Sequence, residues 1–193
     1  MKEITDNEMY FILNIFKSPE TDYNANNIAK KLGITSMGAL KIAKRLENEQ
    51  ILTAKELGKA RFYKLNFSND YVIQYVKFLL KRESEQAHPY VKRWIKEVKK
   101  IKNADIAILY GSLLRKQMGA RDIDVLLITD SKRYKKLSDE INAIDKINVK
   151  KLHPMYQTKQ DIKDNIKKID KPLLNAIKGI VVFGEDVIIK LLK

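Results

Sequence analysis

The sequence predicts an α+β protein in two parts joined by a helical connector. Residues 1–68 read as three short helices followed by a hairpin, residues 69–88 keep a helical apolar period, and residues 89–193 alternate strand with helix. A hydrophobic content of 45% is enough for two real cores, which argues against a disordered chain.

The elements follow in order. Asp6 or Asn7 is placed to cap a first helix whose apolar face holds Met9, Ile12, Leu13, Ile15 and Phe16, and Ser18-Pro19 stops it. Asn24 caps a second helix carrying Ile28, Ala29 and Leu32, and Gly33 ends it as a left-handed residue does. Thr35 or Ser36 opens a third helix, with Leu40, Ala43 and Leu46 expected inward and Lys41, Lys44 and Arg45 outward. Two strands are expected, 51–54 and 61–65, with a basic turn between them. Val72, Tyr75, Val76 and Leu79 form the apolar face of a connector helix, which is either a dimer seam or simply packed against the first part. Pro89 suits the start of a new helix, with Val91, Trp94, Ile95 and Val98 inward, and the junction is expected near His88-Pro89. Beyond it, strands are expected at 105–110, 123–129, 147–152 and 180–183, with helices at 131–144, 158–169, 172–178 and the C-terminus.

Composition narrows the function. With no cysteine and two histidines, neither a disulfide framework nor a thiolate or histidine zinc site is expected. No apolar run reaches the roughly 18 residues of a membrane span. Glu3, Asp6 and Glu8 do not suit a signal peptide, so a cytoplasmic location is expected. The net charge of +14, spread over all parts of the chain, favours a polyanionic partner.

The order of the first part, with Ile28-Ala29-Lys30-Lys31-Leu32-Gly33-Ile34-Thr35 and the hairpin Gly58 to Leu65, resembles a winged helix-turn-helix. Similar proteins often carry Gly where Gln50 stands. The resemblance implies double-stranded DNA as partner. Thr35, Ser36, Met37 and Lys41 would then face base edges, while Lys44, Arg45, Lys59 and Arg61 would meet phosphates.

The second part carries Tyr110-Gly111-Ser112-Leu113-Leu114-Arg115 and then Arg121-Asp122-Ile123-Asp124. Gly111 permits a sharp turn, Ser112 opens a helix, and Asp122 and Asp124 project to one side of a strand. This resembles a minimal nucleotidyltransferase of the polymerase-beta-like superfamily, which implies a small mixed sheet. Gly111, Ser112 and Arg115 would hold nucleotide phosphates, and Asp122 and Asp124 would be metal-binding and catalytic. Departures are plain. Lys116 stands where the family usually has Gly, Arg121 where it has Ser or Thr, and the third strand, read as 147–152, offers Lys150 (or Asn148 or Lys151) in place of an acid. A DNA-binding transcriptional regulator is therefore expected, as monomer or homodimer, whose nucleotidyltransferase-like domain is degenerate and senses a nucleotide or binds a protein partner. The alternative is an active Mg-dependent enzyme modifying a protein, in the manner of an antitoxin, or RNA. Mg and ATP, or no cofactor at all, follow from these readings.

Overall fold

The computed structural model of the chain describes residues 4–58 and 60–193. It divides into two compact units, 4–79 with 192–193, and 80–191. The division falls within the connector helix, ahead of the junction expected at His88-Pro89.

In the first unit, α1 (Asp6–Lys17) is capped by Thr5, not by Asp6 or Asn7. Thr5 and Glu8 form a reciprocal capping box, with the Thr5 amide donating to Glu8 Oε2 at 2.9 Å. Met9, Phe11, Ile12, Leu13 and Phe16 are buried, and Ile15 only partly so. A two-residue strand, β1 (Tyr23–Asn24), precedes α2 (Ala25–Leu32), whose amides at Asn26 and Asn27 donate to Asn24. Gly33, at φ 67°, ends α2. Next comes α3 (Ser36–Asn48), with the Thr35 hydroxyl accepting from the Gly38 amide at 3.0 Å.

At the end of α3 the chain passes through Gln50 at φ 56°, with Gln50 N–H donating to Glu47 O and Ile51 N–H to Leu46 O. This is the six-to-one and five-to-two pattern that satisfies a helix's last carbonyls. Strands β2 (Leu52–Leu57) and β3 (Ala60–Leu65) pair antiparallel, and β1 adds to the other edge of β3, giving the order β1-β3-β2. The hairpin is longer than expected, its pairing running from Leu52 opposite Leu65 to Leu57 opposite Ala60. Helix α4 (Asp70–Gln86) buries Val72, Tyr75, Val76 and Leu79.

In the second unit, α5 (Pro89–Val98) starts with His88 as cap and Pro89 in the first turn, where no amide is missed. It buries Val91, Trp94, Ile95 and Val98 against strands β4 (Ile106–Leu109) and β5 (Ile123–Ile128). Between those strands lies the short α6 (Ser112–Lys116), followed by a single 3₁₀ turn. Then come α7 (Tyr134–Ile147), β6 (Leu152–Gln157), α8 (Lys159–Lys167), α9 (Lys171–Ile177), β7 (Ile180–Phe183) and α10 (Glu185–Leu192). The sheet has the order β6-β5-β4-β7; β5 and β6 are parallel and both other pairings antiparallel, so it is small and mixed.

One strand differs from expectation. Residues 147–150 alternate apolar and polar, yet Ile147 closes α7 and Val149 is 96% exposed. Asn148 is buried instead, donating to Ile144 O and to Glu97 Oε2 and accepting from Arg93. The sheet takes the next six residues, because Leu152 and Tyr156 have a core to enter and Val149 does not. Lys150 reaches the carbonyls of Met118 and Ala120, and Lys151 those of Asp145 and Asn148. Asp145, in α7, accepts from the Leu152 amide at 2.9 Å.

Candidate functional site

The third helix of the first unit is built to show one face. Ala39, Ala43 and Leu46 are fully buried, a spacing of four and three that fixes the inward side. Leu40 was expected inward, but it lies about 100° from Ala39 around the helix, and it is 43% exposed. Thr35, Ser36, Met37, Lys41 and Lys44 are exposed as well. The outward stripe is thus Met37, Leu40, Lys41 and Lys44. Lys41 and Lys44 make no ion pair among the described residues.

The other basic candidates are differently placed. Arg45 is turned toward the body of the unit, paired with the buried Glu8 and, at 3.3 Å, with Glu49. Its geometry is that of a structural ion pair, since freeing it would leave the buried Glu8 carboxylate without its counter-charge. Arg61, half-exposed on β3, donates to Glu47 Oε1 at 2.7 Å and lies 3.6 Å from Glu56. Lys59 lies outside the described residues.

In the second unit, the turn after β4 brings Gly111 onto Asp124. Gly111 has φ 74°, and a Cβ there would stand 2.1 Å from Asp124 Oδ2. Only glycine fits so close an approach at that backbone angle. The parallel register sets His153 of β6 directly beside Asp124, with Nδ1 3.2 Å from Asp124 Oδ1. His153 is therefore a strand residue, and it occupies the neighbouring place expected for Lys150. Tyr110 stands close enough that burial and the Asp124 charge both push its phenol pKa up.

Asp122 and Arg115 are exposed and Ser112 half-exposed. A cavity of about 530 Å³ opens beside the turn, lined among others by Tyr110, Gly111, Arg115, Met155, Asn175 and Lys178. It gathers Gly111 and Arg115 but not Ser112, Asp122 or Asp124. Asn175, Lys178 and Met155 were invisible as site residues in the sequence, because they come from distant elements and belong to no local motif.

The donor set does not fit a two-metal centre. One Asp124 oxygen faces His153, the other lies under Gly111, and β6 supplies no acid. Among the described residues no three His, Asp, Glu or Cys side chains converge on a point. No described helix is long and apolar enough to cross a membrane.

No family model matches the chain, and no curated protein matches it either. Several solved structures match about half of it. A variant of ZitR from Lactococcus lactis is similar at 13% identity and TM-score 0.38, covering 52% of this chain and 64% of that one. A second ZitR variant shows 11% identity and TM-score 0.29, covering 51% and 72%. AdcR, a zinc-dependent MarR family transcriptional regulator in its Zn(II)-bound state, shows 16% identity and TM-score 0.25, covering 51% and 73%.

Proposed function

We propose that the chain is a transcriptional regulator that binds double-stranded DNA through its first unit, α3 entering the major groove and the β2–β3 hairpin lying along the backbone. The observation that carries this reading is the outward stripe of α3. It begins at the helix N-terminus and holds two lysines that have no carboxylate partner among the described residues, in a unit whose first three helices lead into a hairpin. The charge of +14 supplies long-range attraction to a polyanion. On this reading Lys41 and Lys44 contact the nucleic acid, and Arg61 joins them by exchanging Glu47 for a phosphate. Arg45 stays with Glu8 and holds α3 in place. Two such units in a homodimer would read two half-sites.

The second unit, on the same proposal, is nucleotidyltransferase-like and holds a nucleotide or a protein partner without transferring a nucleotidyl group. What supports it is the Gly111 turn over Asp124 between two adjacent strands, with His153 where an acid would be needed. Transfer to protein or RNA with Mg²⁺ is the weaker reading, since the residues present do not make the metal centre.

The test is fluorescence anisotropy of the full chain with duplex DNA over a range of salt. Tight binding that prefers some sequences, and a log–log salt slope that falls by about 1 for each of Lys41→Ala and Lys44→Ala, is the expected outcome. Weak binding, equal for all sequences at physiological salt, removes the regulator reading. For the second unit, ATP titrated with and without Mg²⁺ into wild type and Asp122→Asn/Asp124→Asn decides. Binding that requires the metal and both aspartates would restore the enzymatic reading.

A further inference from the structure

On the stripe of α3, two large apolar side chains stand in solvent. Met37 is 62% exposed and Leu40 43%, three residues apart on one face, with Lys41 and Lys44 extending the same stripe. The buried side of the helix is already filled by Ala39, Ala43 and Leu46, so neither residue serves the core of the unit. From Thr35 to Lys44 the sequence has no Arg, Asn or Gln. Of the side chains that grip guanine or adenine with two hydrogen bonds, only lysine is present, and the reading above sets Lys41 and Lys44 against phosphates. The Thr35 hydroxyl accepts from the Gly38 amide and caps the helix. What the stripe offers a base edge is therefore mainly a thioether and two methyl groups, flanked by cations.

The major groove presents one apolar group, the C5-methyl of thymine. Lys41 and Lys44 supply the charge complementarity that would hold this face against the phosphates on either side. We infer that Met37 and Leu40 read thymine methyl groups, so that the protein selects its sites by where thymines fall under α3. The inference rests on the DNA-binding reading above and gives it a code: contacts of shape and methyl burial rather than paired hydrogen bonds. It also assigns Leu40 a role that its position in the sequence concealed.

The experiment begins with the full chain selecting duplexes from a random pool. The enriched sequence is then synthesised with thymine or, at each thymine in turn, with deoxyuridine, which removes the methyl and keeps the base pairing. The expected result is a loss of about fourfold in affinity per contacted methyl, the worth of one buried carbon group. Loss should be confined to a few positions, and Met37→Ala/Leu40→Ala should bind the thymine and deoxyuridine duplexes alike. Both residues are exposed, and circular dichroism checks that the variant is folded. An enriched duplex that binds equally well with deoxyuridine throughout overturns the inference while leaving DNA binding intact, and that arm needs no protein variant. A double variant that keeps the full preference for thymine overturns it too. A pool from which nothing is enriched removes the DNA-binding reading itself, and the methyl code with it.

Discussion

At the scale of single residues, the backbone angles are the most demanding feature. Gly111 combines φ 74° with an approach that would place a Cβ 2.1 Å from Asp124. Gly111→Ala should therefore cost about 2 kcal/mol or more of the second unit's stability, read from urea unfolding. An unchanged midpoint would mean that the turn relaxes freely. Gln50 is the converse case. It holds φ 56° in the turn that ends α3, where a side chain is a burden and no contact requires one. Gln50→Gly should stabilise the first unit by about 0.5–1 kcal/mol, the left-handed strain relieved outweighing the greater freedom of the unfolded glycine. A loss in its place would show that the Gln50 side chain contributes something its exposure conceals.

At the scale of elements, Asp105 ties three of them. It precedes β4 and accepts from Arg133 Nη2 in the turn before α7 at 2.8 Å, while Lys159 Nζ, at the start of α8, lies 2.8 Å from its other oxygen. Burial alone would raise its pKa, but the hydrogen bonds from Lys159 and Arg133 outweigh that and hold it below the ordinary 3.8. A carboxyl depressed in the folded state stabilises fully above its unfolded pKa, and that contribution is lost as pH falls through the folded value. The stability gap between wild type and Asp105→Asn should accordingly be wide at neutral pH and shrink below about pH 4. A gap of the same size at both ends would mean that packing, not charge, makes the difference.

Elements also decide what was legible in the sequence. The helices with one clean apolar stripe, such as α5 with Val91, Trp94, Ile95 and Val98, are readable because the stripe and the core coincide. The strand after α7 is not, because Ile147 and Val149 imitate the period of a strand while facing solvent, and the true strand begins only at Leu152. That displacement concealed the partner of Asp124. The aspartate was visible as part of a local motif, whereas His153 meets it through a pairing that sequence order does not specify. Leu40 was misplaced for a related reason: a leucine in a helix was assumed to point inward, though Ala39 had already taken that direction.

At the scale of the whole molecule, the chain joins two units with separate cores, and its charge of +14 belongs to both. Neutralising the stripe on α3 should therefore weaken attraction to DNA without abolishing it. Lys41→Ala/Lys44→Ala should retain a reduced, salt-sensitive affinity for any duplex while keeping its preference among them, since phosphate contacts position the protein and Met37 and Leu40 carry the selection. If preference is lost with the two lysines, they and not the apolar pair read the sequence.

The single tryptophan is packed in the core of the second unit at 1% exposure, and the first unit has none. Excited at the red edge of its absorption, where the nine tyrosines are dark, the protein emits from one half only. The molecule thus carries its own optical channel. Emission that follows melting of the second unit is local, and any change in colour or intensity when DNA is added would be news that binding reaches the half that glows.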